Sequence, residues 1–344
     1  MILVTGGSGF LGQWVVRRLL ERTQESIRCL VRSGPGTLVV TRLAAQWPGR
    51  KIEPHPASLP APAEALAAAL DGVRIVVHIA AGKQGSAPAL VANTVVGSEA
   101  LFQAAVRAKV ERFVLVGSLG VHDTASLQRG AVVDEHTPLD PHPEMRDPYT
   151  FSKHRQETLA REYVLNHGLP LVVVRPGVII GPSAEILVTR VGLQMFGLLL
   201  HLGGGNRLPF TYVSNCADAL VLAATRPSLG GDTFNIVDDD LPTSRQIVRA
   251  YRSKVRRIPS IPLPRIALGP IARLNAWVHR RTQGQIPVVF SEYDAKTIWK
   301  NLRFSNERAK SLLGWIPEIP MQTALEATFQ SLVESGKSKK GSPR

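Results

Sequence analysis

Tyr149-Thr150-Phe151-Ser152-Lys153 sets a phenol and an ammonium four residues apart, on one face of a helix and one turn from each other. A cation so placed lowers the hydroxyl pKa from its ordinary value of about 10, giving a proton donor or acceptor usable near neutrality. Taken alone, such a pair also describes a solvated helix face. A second constellation, Val4-Thr5-Gly6-Gly7-Ser8-Gly9-Phe10-Leu11-Gly12, carries a different chemistry. It follows the apolar run Ile2-Leu3-Val4, which reads as a buried strand, and opens a segment whose Leu11, Val15, Val16, Leu19 and Leu20 form one helical stripe. A strand that turns sharply into a helix leaves the first N–H groups of that helix unpaired, so an anionic pyrophosphate can take their hydrogen bonds. Glycine lets the phosphate come close. The strand, the Gly6, Gly9, Gly12 spacing and the helix together predict dinucleotide binding. Cys29 and Cys216 read as small buried hydrophobes, and the nine histidines include no paired-ligand spacing, so no metal is expected.

The elements that must position these residues alternate. Residues 27–31, 51–53, 75–78 and 113–116 read as parallel strands, with helical patterns at about 37–47, 62–70 and 86–108 between them. A helix from Asp147 to about His167, a strand at 171–174, another at 210–213, a helix from Cys216 to about Thr225 and a strand at 233–236 continue the series. Strands apolar on both faces and alternating with helices predict an α/β fold, a Rossmann-type doubly wound parallel sheet. Residues 1–180 with 210–237 are read as the nucleotide-binding domain. Residues 181–209 with 238–334 are read as a smaller substrate-binding lobe, and 335–344, rich in Gly, Ser and Lys, as a disordered tail.

The formal net charge of the 344 residues is +14, which points to anionic partners. Its distribution is uneven: residues 241–291 contain ten Arg or Lys and no Asp or Glu. Pro264 to Arg281 predicts a helix with Ala267, Ile271, Leu274 and Val278 on one stripe and Arg273, Arg280 and Arg281 off it. That stripe packs on the lobe in one reading and lies in an anionic bilayer interface in the other, with Gly269-Pro270 as an interruption. No basic segment with an apolar run precedes the first strand, and the apolar patch 195–200 is far shorter than the roughly 20 residues of a membrane span. The expectation is a cytoplasmic protein, peripheral at a membrane in the second reading. Nothing beyond charge suggests nucleic acid, and no sequence-specific nucleic-acid motif is present.

With Ser118 ending the fifth strand, the Tyr149/Lys153 pair downstream of the glycine turn resembles the Ser-Tyr-Lys set of the short-chain dehydrogenase/reductase superfamily. The chain is similar to its extended branch, the NAD-dependent epimerase/dehydratase family, on the hydroxysteroid-dehydrogenase side. The resemblance runs through His78-Ile79-Ala80-Ala81, Asn93 with Gly97, Arg175-Pro176 before Gly181-Pro182, Tyr212-Val213 with Asn215 and Asp218, and Leu313-Gly314-Trp315 with Pro317. It implies that Tyr149 exchanges a proton with the substrate oxygen while hydride moves to or from a nicotinamide. Lys153 would bind ribose hydroxyls, and Ser118 would hold the same substrate oxygen. It adds Asn93 to the catalytic set. To the cofactor it assigns Gly6, Gly9, Phe10, Leu11, Gly12, Arg32, Ser58, Leu59, His78, Ala80, Ala81, Tyr149, Lys153, Pro176 and Val178. His78 and Asn93 have a second reading, in which they shape the pocket without touching the chemistry.

Departures from the family's patterns narrow the reaction. Leu119-Gly120 follows Ser118 where sugar-nucleotide dehydratases of the branch carry an Asp-Glu pair, so dehydration is not expected. Val178 stands where many sugar-nucleotide epimerases have an asparagine, and Ser58 where the family usually has an adenine-contacting aspartate. Leu30-Val31-Arg32-Ser33 ends the second strand with a guanidinium instead of the acidic residue of NAD-specific relatives, which favours NADP(H) and leaves NAD(H) open. The expected activity is interconversion of a secondary alcohol and a ketone on a fairly apolar small molecule. A sugar-nucleotide epimerase is the alternative, a catalytically silent NADP-binding sensor the alternative of another class, and a homodimer is left open.

Overall fold

In the computed structural model, the described residues are all but 83, 84, 196, 228, 284, 286–289 and 341–344, and the side chains of 265 and 336–340 are also left aside. Short apolar segments that cannot satisfy their own backbone groups become the strands β1 (Ile2–Thr5), β2 (Ile27–Val31), β3 (Ile52–Pro56), β4 (Ile75–His78) and β5 (Arg112–Val116). The two-residue β6 (Val132–Val133), β7 (Leu171–Pro176) and β8 (Val178–Ile180) follow, then β9 (Gly192–Met195), β10 (Leu198–His201), β11 (Phe210–Tyr212) and β12 (Thr233–Ile236). The last two are β13 (Ser260–Pro262) and β14 (Arg303–Phe304). Seven of these form one parallel sheet in the order β12-β7-β5-β4-β1-β2-β3. This is the expected doubly wound α/β sheet, and the chain order reverses between β1 and β4. β3 is longer than the 51–53 predicted, because an edge strand tolerates Pro54 and Pro56, whose missing donors face away from the ladder.

Helices α1 (Phe10–Arg22), α2 (Pro35–Ala45), α3 (Ala63–Leu70), α4 (Ala87–Val91), α5 (Gly97–Arg107), α6 (Pro148–His167) and α7 (Val213–Thr225) cover the two faces. Along β1, Ile2 and Val4 enter one core cluster with α1 and α7, while Leu3 enters the other with α3 and α5, the period-two alternation of a strand buried on both sides. The α1 stripe expected at 11, 15, 16, 19 and 20 is buried. The segment predicted as one helix over 86–108 is α4 and α5 joined by a π-helical turn, Ala92–Val96. Ala87–Arg107 is long and apolar enough to cross a membrane, yet Leu101, Phe102 and Ala105 are buried in the sheet-side core.

The remaining chain adds α8 (Ser244–Lys254), α9 (Arg265–Arg281), α10 (Glu292–Thr297) and α11 (Met321–Lys340). β9, β10 and β13 form a separate three-stranded sheet, and Leu202, Leu268, Ala272, Phe290 and Trp299 build a small core of their own. Ile247, Val248, Met321, Ala324 and Phe329 instead join the main core, so α8 and α11 are sewn to the larger sheet. The last helix runs through Lys340, past the Ser335 boundary that composition suggested, and 341–344 lie outside the described residues. α9 continues through Pro270, so Gly269-Pro270 does not interrupt it. Its buried positions are Leu268 and Ala272, and Leu274, expected on the packed stripe, is 59% exposed.

An ion pair under the sheet ends fixes α6 to β7. Arg175 donates from Nε to Glu157 Oε2 at 3.0 Å and from Nη2 to Oε1 at 2.6 Å, with both side chains buried. Burial opposes ionisation of Glu157, but Arg175, aided by Arg161, holds its carboxyl below the usual carboxylate range. A carboxyl so lowered contributes stability at pH values above its unfolded pKa, and that contribution is lost as pH falls. Glu157→Gln strands a buried guanidinium and is expected to lower the unfolding free energy by about 3 to 5 kcal/mol at neutral pH. Urea denaturation across pH checks this, with the difference between variant and wild type shrinking in acid.

Candidate functional site

At the reversal of strand order, ligands of open α/β sheets lie outside the carboxyl ends of the strands. Here that position is occupied by the glycine turn. Gly6 adopts φ 72°, a left-handed conformation that glycine alone takes without penalty, and its N–H donates to Leu30 O at 3.2 Å. A Cβ on Gly12 would come within 2.0 Å of Gly6 O, so only glycine lets α1 start this close to the turn. A Cβ on Gly6 would meet Ala80 N at 3.1 Å, which places Ala80, just past β4, against the turn. Gly9 caps α1 with no side-chain acceptor, so the first-turn N–H groups at Phe10, Leu11 and Gly12 have no side chain in front of them. A cradle that a Cβ would fill, at an uncapped helix N-terminus, fits a dinucleotide pyrophosphate.

The second half of the site is built from α6. Asp147 caps the helix, its Oδ1 accepting from Tyr149 N at 3.1 Å and Thr150 N at 3.0 Å. Lys153, 2% exposed, donates from Nζ to Val116 O at 2.8 Å and to Gln156 Oε1 at 3.0 Å. This ties the Tyr149/Lys153 face to the end of β5, two residues before Ser118. Ser118 Oγ accepts from Gly120 N at 3.2 Å, which leaves the hydroxyl proton for another acceptor. A Cβ on Gly120 would lie 3.3 Å from Ser118 Oγ and 3.5 Å from Thr150 Oγ1, so the missing side chain lets the serine loop approach the first turn of α6. β5 and α6 thus set Lys153 against Val116 and the Ser118 loop against Thr150, the residue after Tyr149.

Burial pushes the Tyr149 hydroxyl up to about 12, and the Asp147 carboxylate acts in the same direction. The lowering expected from Lys153 is therefore not the net effect. The ammonium is committed to a carbonyl and an amide oxygen, and the half-buried phenol is desolvated by the side chains around it.

His78 sits beneath the site at 1% exposure. Thr5 Oγ1 accepts from Ile79 N and Ala80 N, both at 3.2 Å, so its own proton goes to His78 Nδ1 at 2.7 Å. His78 Nε2–H then donates to Ser98 Oγ at 2.8 Å, and Ser98 Oγ also accepts from Gln156 Nε2 at 2.6 Å while donating to Thr94 O. The imidazole is neutral, driven down to about 3 first by burial and then by the Lys153 charge. A continuous chain thus runs from Lys153 through Gln156, Ser98 and His78 to Thr5, the residue before Gly6. Both ring nitrogens of His78 are thus bonded to protein.

The other assigned residues spread around this centre. Arg32 is exposed immediately after β2, and a Cβ on Gly36 would lie 3.3 Å from Ser8 Oγ, so the loop that carries Arg32 folds against the glycine turn. Ser58 is exposed and Leu59 half-buried after β3, with a Cβ on Gly97 reaching within 2.9 Å of Leu59 Cβ. Ala81 is half-buried after β4, and the next residue, Gly82, donates from N to Thr94 Oγ1 at 3.0 Å. Asn93 is exposed on the π-helical turn. Pro176 is buried at the end of β7, and Val178 begins β8, paired with Phe210 of β11. Phe10 reaches Gly181, where a Cβ would meet its Cζ at 3.2 Å.

Sequence reasoning missed Gln156 and Ser98, although Gln156 lies three residues after Lys153 on the same helix face, a legible signal. It also missed Arg190, in the loop before β9. Its Nη1 donates to Ile298 O at 3.4 Å and its guanidinium lies 6.0 Å from the Phe304 ring centroid. Burial lowers Arg190 to about 10, with Arg146 adding to the effect and Asp147 opposing it. Among the described residues it has no carboxylate within ion-pair distance. Arg146, by contrast, is paired with Asp140 at 2.8 Å. Arg190 is thus a cation without an ion pair among the described residues, with Arg146 and Asp147 near enough to act on it in opposite directions.

Comparison with known proteins fits this geometry. The chain is 29% identical to cinnamoyl-CoA reductase 2 of Arabidopsis thaliana over 207 residues, 59% of this chain and 61% of that protein, somewhat less than two thirds of its length. It is 27% identical to the decarboxylating sterol-4-alpha-carboxylate 3-dehydrogenase of Candida albicans over 275 residues, 76% of this chain and 77% of the relative. The solved UDP-glucuronic acid 4-epimerase from Bacillus cereus, in complex with NAD, superposes with a TM-score of 0.71 at 19% identity, covering 98% of this chain and 97% of that one, a likeness of fold. Residues 2–237 match the NAD dependent epimerase/dehydratase family across the whole sheet that carries the glycine turn, Ser118, Tyr149 and Lys153, and the chain belongs to that family of nicotinamide-dependent oxidoreductases and epimerases.

Proposed function

We propose that the protein is an NADP(H)-dependent oxidoreductase that interconverts a secondary alcohol and a ketone on a fairly apolar substrate. What supports this reading is that Lys153 is tied to the end of β5 and the Ser118 loop lies against the first turn of α6, which carries Tyr149, with Leu119-Gly120 supplying no acid or base after the serine. The bound nicotinamide supplies or accepts the hydride. In the reducing direction the Tyr149 hydroxyl, protonated at neutral pH, gives its proton to the carbonyl oxygen as that oxygen gains negative charge. Ser118 donates its free hydroxyl proton as a hydrogen bond to the same oxygen. Lys153, pre-set by Val116 and Gln156, binds ribose hydroxyls and stabilises the tyrosinate left behind. Support for the apolar substrate comes from the Candida albicans relative, which by its name is a sterol dehydrogenase whose substrate bears a carboxylate. Arg190 suits an acidic group on such a substrate. It also suits a diphosphate, and this keeps the sugar-nucleotide epimerase as a second reading.

A turnover screen over steroid, aliphatic ketone and nucleotide-sugar panels decides between the two. Net oxidation or reduction of the cofactor supports the proposal, and conversion of a UDP-sugar to its epimer without net cofactor change overturns it. Tyr149→Phe is expected to cut kcat by at least about 100-fold while leaving cofactor affinity unchanged, because the proton donor goes but the ribose contacts stay. Lys153→Ala is expected to harm both. Wild-type rates in the phenylalanine variant would remove Tyr149 as acid and base.

The pH dependence follows from the direction of the tyrosine shift. Alcohol oxidation needs the deprotonated phenol and is expected to rise with pH across about 7 to 9, whereas ketone reduction stays level there. Steady-state rates in the two directions check this. For cofactor choice, Arg32→Ala is expected to weaken NADP(H) about 10- to 100-fold and leave NAD(H) unchanged, since it removes one charge-assisted contact to the 2′-phosphate. Equal affinities untouched by the substitution would show that Arg32 does not select the cofactor.

A further inference from the structure

The chain carries a second cationic feature, remote in sequence from Ser118, Tyr149 and Lys153. α8 buries Ile247, Val248 and Tyr251 and turns Arg245, Arg249 and Arg252 outward at helical spacing. With Arg257, Ser260, Pro262 and His201 they line an open groove of about 670 Å³. None of these four arginines has a carboxylate within ion-pair distance among the described residues, and Lys254, reaching Glu326 at 3.9 Å, is the cation of α8 that does. Four guanidiniums around one groove repel each other unless an anion enters. No Asp or Glu occurs from 241 to 291 to supply it.

Exposed apolar side chains follow in the next stretch of chain. Ile261, in the strand bordering the groove, is 48% exposed. α9 begins three residues after that strand and faces water with Ile266 at 88%, Leu274 at 59% and Trp277 at 51% exposure. Ile266, Pro270, Leu274 and Trp277 follow one another at four, four and three residues and so share a face, opposite the buried Leu268 and Ala272. Arg281 lies 5.6 Å from the Trp277 ring centroid, and Arg273, Arg280 and Arg281 are exposed beside the stripe. Single exposed hydrophobes are ordinary, but a contiguous stripe flanked by cations marks an interaction surface.

We propose that this face, the arginine groove of α8 with the Ile261, Ile266, Leu274 and Trp277 stripe, docks the protein on an anionic lipid bilayer. Charge complementarity selects the occupant: lipid phosphates fill the groove while the aromatic and aliphatic side chains enter the headgroup boundary, where an indole and its neighbouring arginines are both satisfied. The inference is independent of which reaction the site catalyses. A substrate dissolved in the bilayer would then meet an enzyme already held at its surface.

The test is co-sedimentation of the full chain with vesicles of phosphatidylcholine alone and with added phosphatidylglycerol, at low and high salt, alongside tryptophan emission. Expected are binding that requires phosphatidylglycerol, its loss at high salt, and a blue shift that is absent in Trp277→Phe. The triple variant Arg249→Ala, Arg252→Ala, Arg257→Ala should bind about 100-fold more weakly, since each cation near an anionic surface is worth about fivefold in affinity. Thermal melts of both variants should match wild type, because the substituted side chains are exposed. Absence of salt-sensitive vesicle binding overturns the proposal, as does vesicle binding equal in wild type and the triple variant. Tighter binding of inorganic pyrophosphate or of duplex DNA than of the vesicles, lost in the triple variant and without the Trp277 shift, overturns it in favour of a soluble anion.

Discussion

A buried ammonium is among the costliest groups a fold can hold, and Lys153 is 2% exposed. Its charge is tolerated because the carbonyl of Val116 and the amide of Gln156 face it, and Gln156 in turn hands the polarity on through Ser98 and His78 to Thr5. The five members of that chain come from four elements. α6 supplies the lysine and glutamine, α5 the serine, β4 the histidine and β1 the threonine. The glycine turn and the tyrosine face are therefore held in one register by hydrogen bonds that have no water to fall back on. A neutral imidazole is required at the centre, and burial enforces it.

Polar accounting of the same kind recurs below the strand ends. His122 gives Nδ1–H to Thr137 O at 2.9 Å, and its Nε2 lies 3.0 Å from Asn235 Oδ1 and 3.2 Å from Arg175 Nη1. Asp238 gathers Thr211 Oγ1 at 2.8 Å, Tyr212 N at 2.9 Å and Asn215 Nδ2 at 2.8 Å, although burial still pushes its carboxyl up to about 6. Asn215 also donates to Ile319 O at 2.9 Å, and Trp315 Nε1 donates to Asn215 O at 2.8 Å. These bonds fasten the chain's last hundred residues to the sheet. They explain why Tyr212, Asn215, Asp218 and the Leu313-Gly314-Trp315 stretch belong to the same pattern: they are a joint between sheet and lobe, with Asp218 facing Arg22 at 2.9 Å and Arg18 at 3.2 Å on α1.

Two sets of cations are used differently. Arg146, Arg161 and Arg175 are spent on carboxylates inside the fold, and there they fix geometry. Arg190 and the arginines of α8 have no such partner among the described residues, so their charge is available to a ligand. A net charge of +14 by itself makes no such distinction. Position relative to acidic neighbours does.

What the sequence determined by itself was whatever depends on near neighbours. The strand-turn-helix around Gly6, Gly9 and Gly12, the α1 stripe, the Tyr149/Lys153 spacing and the alternation of strands and helices are all short-range patterns, and from them the parallel sheet and the place of the site were legible. What only the tertiary structure decided was every property set by burial and by partners distant in the chain. Tyr149 rises because it is desolvated, against the lowering that its neighbour at four residues suggested. His78 is turned inward by Thr5, 73 residues before it, and Ser98. Leu274 faces water because Leu268 and Ala272 meet Trp299 and Phe290 first, so the packed face of α9 is rotated from the stripe that periodicity favoured. Helical spacing shows which residues share a face. Only the rest of the fold shows which face is covered.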